Sequence, residues 1–316
     1  NPSGIQCDGC GVINAGRTTL TTGKADVENG ELKGYRVKGG KVTVGQKGMD
    51  NSQSDYTDII AEKAEINGGV WSKKGIKVTT GKNNVDRSND SVVYVGDKNT
   101  DNTDRTSDTQ GENQSYSVDV SQLGGMYAEK IHLVDNGQGL GVRNAGHIGA
   151  SAGDVKIDSQ GKIVNEGVIN GVDNIHLHTA VATNTGKIES KQGQIDLNAK
   201  SITQDGSVIA RKGNVSLKGN VVRQKGETVA KGRVDYDAKS IVADKTAFIA
   251  AGVNITEDKG KVVRTLDAAH VAGSGITLKG DNSVTMHGKQ VASGNIAVQG
   301  GALNLDGSQT TGYNVS

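Results

Sequence analysis

The chain has 316 residues, and its 36 basic and 35 acidic side chains give a formal net charge of +1. Aromatic residues make up only 3% of the sequence, which is too little bulk for a wide globular core, and the absence of a basic stripe with interleaved aromatics predicts no nucleic-acid partner. Glycine occurs 46 times but proline once, which argues against disorder, and no apolar run reaches the ~20 residues of a transmembrane helix.

Two short motifs open the chain. The first predicts a tight turn ahead of a strand, because proline fixes φ and Ser-Gly favours a turn. It consists of Asn1, Pro2, Ser3, Gly4 and Ile5. The second is a single Cys-x-x-Cys pair, Cys7 and Cys10. A zinc site would need further ligands at suitable spacing, and the nearest histidine is His132, so we predict no metal at this pair.

These motifs and the run GVINAGRTTLTTG at 11–23 resemble the signature of the haemagglutination-activity, or two-partner secretion, domain of large bacterial exoproteins. That family includes filamentous haemagglutinins, contact-dependent growth-inhibition exoproteins and secreted haemolysins. Its first motif usually reads Asn-Pro-Asn-Gly, so Ser3 is a departure. Stretches at 118–127 and 141–146 resemble the end of the same domain and its junction with haemagglutinin repeats.

The resemblance implies a right-handed parallel β-helix, exported through the periplasm to the cell surface or extracellular space by a partner outer-membrane β-barrel transporter. Any target-cell receptor would bind distal regions outside this chain. Asn1–Ile5 would be a secretion motif, acting as a structural turn, as a transporter contact, or as both. In an exported protein Cys7 and Cys10 are expected to form a local disulfide, with free or transport-related thiols as the alternative. The family domain also has a substantial portion before its Asn-Pro motif, so export of this fragment alone is not predicted.

Residues 24–81 read as short alternating strands at irregular spacing, which is typical of side strands or loops outside a β-helix. Trp71 and Tyr35 could form a ligand-stacking pair, but isolated aromatics in a β-fold are more often core or cap residues, and we predict that role for them. Asn, Asp, Ser, Thr and Gln dominate residues 82–122, so we predict a polar loop outside the shaft there, and residues 97–114 contain no apolar side chain. The Asp spacing in this loop fits neither the EF-hand loop nor the calcium-binding Gly-Gly-x-Gly-x-Asp nonapeptide.

From residue 155 onward an apolar, polar, apolar triplet recurs about every 20 residues. The triplets begin at Val155, Ile175, Ile195, Val215, Val234, Val253, Ile276 and Ile296. An interleaved series places an amide two residues before a glycine, at Asn144, Asn165, Asn184, Gln204 and Gln224. A period near 20 that contains strands and turns but no helical pattern predicts an all-β solenoid. The fold that fits is a parallel β-helix with one face of each strand lining a narrow core.

Candidate catalytic residues are sparse. The best polar cluster comprises Asp158, Asp173, His176, His178 and Asp196. We interpret it as a solvated outer row, because outward positions of stacked strands are polar by alternation. No Ser-His-Asp order, P-loop or strand-linked GxGxxG is visible. We therefore predict no enzyme, no catalytic or metal-binding residue and no cofactor.

The predicted organisation has two parts. Residues 1–146 would be the C-terminal portion of the secretion domain, and residues 147–316 would be haemagglutinin-type repeats that form the proximal shaft. The predicted function is secretion and display of a large surface exoprotein, either a contact-dependent growth-inhibition toxin-delivery filament or a filamentous adhesin. The alternatives are a secreted haemolysin or cytolysin, or a β-helical polysaccharide-degrading enzyme.

Overall fold

The computed structural model describes residues 1–96, 115–266 and 274–311. Every regular element in these ranges is a β-strand, and the strands form a parallel β-solenoid with about 21 residues per turn. The predicted all-β class, the β-helix and the coil length near 20 are confirmed. Among the residues that the structure describes, no helix is long and apolar enough to cross a membrane. Contacts divide the chain into an N-terminal unit, Asn1–Gly167, and a C-terminal unit, Val168–Ser316.

The N-terminal unit is built from short strands. In chain order they are β1 (Ile5–Cys7), β2 (Cys10–Gly11), β3 (Arg17–Thr21), β4 (Lys24–Glu28), β5 (Glu31–Arg36), β6 (Lys41–Val44), β7 (Met49–Asn51), β8 (Tyr56–Ala61), β9 (Lys63–Ile66), β10 (Gly69–Ser72), β11 (Gly75–Thr80), β12 (Asn83–Asp86), β13 (Val92–Tyr94), β14 (Val118–Val120), β15 (Gly125–Ala128), β16 (Lys130–Asp135), β17 (Gly141–Asn144), β18 (His147–Ala150), β19 (Val155–Ser159) and β20 (Lys162–Asn165).

Three rows of parallel strands run through this unit. Row one contains β1, β6, β9, β14, β17 and β20. Row two contains β2, β7, β10, β15 and β18. Row three contains β3, β8, β11, β16 and β19. The chain passes through rows one, two and three in each coil, so equivalent residues stack on one another at the inter-strand spacing of about 4.8 Å.

Side-chain alternation produces the core of the N-terminal unit. In β6 the side chains of Val42 and Val44 are buried while that of Thr43 faces outward. Val44 stacks on Ile66 and Ile66 on Val120, and all three are fully buried. The narrow core therefore consists of columns of aliphatic side chains, which explains how the fold forms with so few aromatic residues.

A four-stranded antiparallel sheet lies outside the solenoid, in the order β13, β12, β5, β4. Val85 of β12 and Val37, which directly follows β5, form a buried cluster with Ile60 of row three. Ile60 is an outward position of β8, so this sheet covers an apolar patch that would otherwise be exposed. The predicted extra-helical strands in the N-terminal part are thus confirmed.

The polar loop predicted over residues 82–122 needs correction at both of its described ends. Strands β12 and β13 belong to the outer sheet, and β14 belongs to row one of the solenoid. The physical reason is local apolar content: Val85 packs on the outer sheet's core, and Val118 is fully buried in the column of row one. The stretch without apolar residues, 97–114, lies outside the described residues.

Asp135 is a carboxyl group buried at the end of β16. Its oxygens accept hydrogen bonds from the Gly137 amide (3.0 Å), Ser159 Oγ (2.8 Å) and Thr80 Oγ1 (3.0 Å). Burial nevertheless raises the pKa of Asp135 above its ordinary value of 3.8.

This raised pKa has a predicted consequence for stability. A raised pKa in the folded state means that the native state binds the Asp135 proton more tightly than the unfolded state does. The contribution of this proton to the free energy of unfolding is therefore complete below pH 3.8 and is lost as the pH rises through the folded pKa. We expect Asp135→Asn to show a smaller loss of unfolding free energy than the unmodified chain as the pH rises above 3.8. Guanidinium denaturation at several pH values measures this difference, and identical pH slopes would contradict it.

The C-terminal unit has longer strands. In chain order they are β21 (Val168–Gly171), β22 (Ile175–Asn184), β23 (Lys187–Ser190), β24 (Ile195–Gln204), β25 (Ser207–Ala210), β26 (Val215–Lys218), β27 (Val221–Gln224), β28 (Glu227–Ala230), β29 (Val234–Ala243), β30 (Phe248–Ala251), β31 (Val253–Asp258), β32 (Lys261–Leu266), β33 (Ile276–Met286), β34 (Lys289–Ala292), β35 (Ile296–Leu305) and β36 (Ser308–Thr311).

Parallel pairing confirms most of the predicted triplets. The first residues of the triplets stack in register, in the order Ile175, Ile195, Val215, Val234, Ile276 and Ile296. The outward residues between them also stack: His176 on Asp196, Asp196 on Ser216, and Ser216 on Asp235.

The triplet predicted at Val253 is wrong. Val234 pairs directly with Ile276, and Val253 instead begins an antiparallel hairpin formed by β31 and β32. Lys259 and Gly260 connect the two strands with φ values of 50° and 77°. Two consecutive left-handed residues are typical of the turn that joins a tight antiparallel hairpin. Because this turn forms a hairpin, the triplet at Val253 does not form a coil of the solenoid.

The second predicted series forms buried amide contacts within each unit. Asn144 Nδ2 donates to Asn165 Oδ1 at 3.0 Å, and Asn184 Nδ2 donates to Gln204 Oε1 at 2.9 Å. Gln224 Nε2 donates to the Gly226 carbonyl at 3.0 Å. Buried amides need partners, and here neighbouring coils or the adjacent turn supply them. A fixed amide at the end of a strand therefore favours in-register stacking of coils.

Candidate functional site

The opening motif forms a closed turn ahead of β1. The Gly4 amide donates to the Asn1 carbonyl at 3.1 Å, and the Ser3 amide donates to Asn1 Oδ1 at 3.1 Å. Gly4 has a φ of +121°, a region that residues with side chains rarely adopt. Ile5 then enters β1 and pairs with Val42 of β6.

The turn fits closely against the following coil of the solenoid. A Cβ added at Gly4 would lie 3.1 Å from the Lys41 carbonyl oxygen. A Cβ added at Gly40 would lie 2.7 Å from the carbonyl oxygen of Pro2 and 2.7 Å from Cβ of Thr22. Because backbone oxygens of Lys41 and Pro2 supply two of these contacts, the motif holds one conformation against its neighbour. The structural role of the motif as a turn therefore has a geometric basis.

Cys7 and Cys10 are joined by a disulfide, with their Cα atoms 5.5 Å apart. Cys7 pairs with the inward Val44 in row one, and Cys10 pairs with the inward Met49 in row two. The disulfide therefore links the first members of two core columns across the corner between these rows.

The disulfide leads to a testable expectation. Thiol titration of the unreduced, unfolded chain should find no free thiol, and reduction should release both, because the sequence contains 2 cysteines. We expect the double variant Cys7→Ser, Cys10→Ser to lose about 2 kcal/mol of unfolding free energy, since the closed loop is short. Denaturation of the double variant beside the oxidised and reduced unmodified chain checks this, and equal stability of all three would contradict it.

A polar pocket lies on the outer face of row one, beside the opening motif. Its volume is about 400 Å³. Lysine side chains along it bond to a carboxylate and to a hydroxyl: Lys41 Nζ lies 2.9 Å from Glu65 Oε2, and Lys63 Nζ donates to Ser115 Oγ at 2.6 Å. The lining residues include Gly40, Lys41, Glu62, Lys63, Glu65, Ser115, Tyr116 and Asp119. Because Gly40 contacts Pro2, the motif and this pocket form one continuous surface.

An aromatic stack lies on the outer face of row two. The rings of Trp71 and Tyr127 stack with centroids 4.2 Å apart and an interplanar angle of 22°, and His147 meets Tyr127 edge to face at 5.2 Å. Trp71 is 48% exposed, so its prediction as a core or cap residue is wrong. Tyr35 does not stack with it but packs against the buried cluster of the outer sheet. Sequence periodicity could not predict this stack. The long insertion between β10 and β15 separates Trp71 and Tyr127 by far more than the length of one coil, although they lie on adjacent coils.

The polar cluster considered for catalysis does not assemble into a metal site. His176 Nδ1 lies 3.0 Å from Asp196 Oδ2, and both side chains are more than 40% exposed. Asp158 instead lies 3.6 Å from Nε2 of His132. In the part of the chain that the structure describes, no three His, Cys, Asp or Glu side chains are placed to hold a metal ion.

Comparison with known proteins identifies the class of the N-terminal unit. Residues 1–165 match the family described as the TPS secretion domain. The chain is 42% identical over 180 residues to "Toxin CdiA" of Yersinia pestis, covering 57% of this chain and 5% of that protein. It is 30% identical over 305 residues to "tRNA nuclease CdiA" of an Escherichia coli strain, covering 96% of this chain and 8% of that protein.

The chain also resembles a solved structure, the crystal structure of filamentous hemagglutinin secretion domain. The two are 24% identical with a TM-score of 0.42, over 63% of this chain and 61% of that one. This chain spans less than a tenth of the length of the curated relatives named above.

Proposed function

This chain belongs to the TPS secretion domain family, and from that premise we propose that its N-terminal unit presents a large exoprotein to a partner outer-membrane β-barrel transporter. The family match over residues 1–165 carries this proposal. The exoprotein is exported through the periplasm to the bacterial cell surface or the extracellular space. The repeats from residue 147 onward begin the shaft that extends from the secretion domain.

The opening motif has a defined role in this proposal. Its turn is rigid and lies beside the pocket of row one, so Asn1–Ile5 offers the transporter a fixed set of backbone and side-chain groups. Cys7 and Cys10 fix the adjoining corner. We place both the turn and the disulfide within the surface that the transporter recognises.

Secretion of motif variants tests this role. In the producing bacterium, Gly4→Val forces a branched side chain into a φ of +121° and should lower the amount of exoprotein outside the cell at least tenfold. Ser3→Asn restores the usual family residue and is the matched control, with secretion expected unchanged. Immunoblots of whole cells, the cell surface and the medium measure both. Full secretion of the Gly4→Val exoprotein would exclude the motif from recognition.

For the whole exoprotein we propose toxin delivery to neighbouring bacteria in the manner of a contact-dependent growth-inhibition filament. The observation that favours this over a plain adhesin is similarity to proteins named "Toxin CdiA" and "tRNA nuclease CdiA". We propose that these residues have no catalytic role and that any nuclease activity lies elsewhere in the exoprotein.

Co-culture on solid medium tests toxin delivery. The producing strain, intact or with this gene deleted, is mixed with a related target strain, and surviving targets are counted. We expect loss of targets that requires both the gene and cell contact, with a filter between the strains as the contact control. Equal survival with and without the gene would refute toxin delivery and favour the adhesin.

A further inference from the structure

Trp71 offers one uncovered aromatic face on the outside of the N-terminal unit. Tyr127 covers the opposite face, with ring centroids 4.2 Å apart. Strand β10 lies between β7 and β15 in row two, so the uncovered face is directed along the row toward β7. The indole is 48% exposed, as expected for a ring that is stacked on one side only.

The surface beneath this free face is shaped by β7. Asp50 is the register partner of Trp71, so its outward side chain starts one inter-strand spacing away, about 4.8 Å. Gly48 lies two residues before Asp50 and carries no side chain. The indole nitrogen of Trp71 lies over Gly69, two residues earlier in β10. A Cβ added at Gly69 would lie 2.8 Å from this nitrogen. The stack therefore ends on an open slot with a carboxylate at one edge. We call this slot, formed by Gly48, Asp50 and Trp71, the Trp71 slot.

The slot carries a negative charge, on Asp50, that no salt bridge from the described residues neutralises. Asp50 is exposed and forms no salt bridge with any residue of 1–96, 115–266 or 274–311. Side-chain and backbone hydrogen bonds from Ser52 lower the pKa of Asp50, so it is ionised near neutral pH. Cations do lie over other rings of this unit, such as Arg17 over Tyr56, but no lysine or arginine side chain among the described residues lies over Trp71. A ring face with negative potential and a carboxylate that has no cationic partner in the described part of the chain therefore lie on register-paired residues of adjacent strands.

We propose that the Trp71 slot binds an arginine side chain presented by a protein partner. A guanidinium group is planar and stacks on an indole face, and its fork of N–H donors pairs with a carboxylate in two hydrogen bonds. The slot offers both partners on adjacent strands, from the register pair Trp71 and Asp50. Tryptophan and arginine are also the residue types enriched among the dominant contacts of protein interfaces. A lysine ammonium fits less well, because it is compact and strongly hydrated and cannot bond in this planar way.

The single tryptophan of the chain makes the slot directly observable. The chain is labelled with 5-fluorotryptophan, and its one fluorine resonance is followed during titration with N-acetyl-argininamide. We expect a saturating shift at least three times that produced by the neutral isostere N-acetyl-citrullinamide or by N-acetyl-lysinamide. The variant Asp50→Asn should reduce the argininamide shift at least threefold. Asp205→Asn, which removes an exposed carboxylate from the C-terminal unit, is the matched control and should change nothing.

Three results would overturn the proposal. Equal shifts with the arginine and citrulline probes would show that the charge of the probe plays no role. A shift unaffected by Asp50→Asn would show that the Asp50 carboxylate does not bind the probe. A shift from N-acetylglucosamine as large as that from argininamide would assign the ring to sugar stacking instead. Asp50 is an exposed position, so the Asn variant keeps the fold, and its circular dichroism spectrum verifies this before titration.

Discussion

The variant Tyr236→Ala is expected to lose about 4 to 6 kcal/mol of unfolding free energy. Tyr236 is the largest fully buried side chain among the residues that the structure describes, and it stacks between Leu217 and Leu278 in the core of the C-terminal unit. Its hydroxyl donates to Gln224 Oε1 and lies 2.6 Å from Thr228 Oγ1. Truncation therefore leaves a cavity and removes a hydrogen-bond partner from two buried polar groups.

The control Tyr236→Phe separates these two contributions. It keeps the ring and removes only the hydroxyl, so we expect a loss of about 1 to 2 kcal/mol. Guanidinium denaturation followed by circular dichroism measures both variants. If alanine cost no more than phenylalanine, the in-register packing of Tyr236 between neighbouring coils would be wrong.

The variant Gly141→Ala should lose about 3 kcal/mol or more. Gly141 begins β17 with a φ of +112°, and an added Cβ would lie 2.0 Å from the Lys162 carbonyl oxygen and 2.4 Å from the Lys162 nitrogen. Both contacts are to backbone, so neither can be relieved by a side-chain rotation. Its carbonyl also accepts a hydrogen bond from the Ser117 amide at 2.8 Å, so a displacement at Gly141 would be passed to β14.

Gly16→Ala is the matched control for this second variant. Gly16 has no atom within 4 Å of an added Cβ and no left-handed φ. We therefore expect a change within about 0.5 kcal/mol. Denaturation midpoints of the two alanine variants give the comparison directly. Equal stability would show that β17 and β20 do not approach as closely as the structure places them.

Sequence periodicity predicts the solenoid because the fold repeats one physical requirement. Each coil must bury an aliphatic side chain on its counterpart, so Ile175, Ile195 and Val215 recur at the coil length. The amide series adds a second recurring signal, since an unpaired amide in the core is costly. The opening turn was predictable for the same kind of reason, as Pro2 and Gly4 restrict the backbone locally.

Features outside the repeat could not be predicted in the same way. Val253 has the local pattern of a core triplet, and only the turn at Lys259 and Gly260 distinguishes the hairpin from another coil. Trp71 meets Tyr127 across an insertion, so no fixed spacing relates them. The outer sheet pairs β5 with β12, which are far apart in sequence, and its apolar face is matched to Ile60 by tertiary packing alone.

Export through a dedicated transporter is the central claim, and one comparison tests it most directly. The intact exoprotein is measured by immunoblot on the cell surface and in the medium of the producing bacterium, with the partner transporter gene present or deleted. We predict that deletion abolishes surface and extracellular exoprotein, and that restoring the gene in trans recovers both. Undiminished export in the deletion strain would contradict recognition of this domain by the transporter.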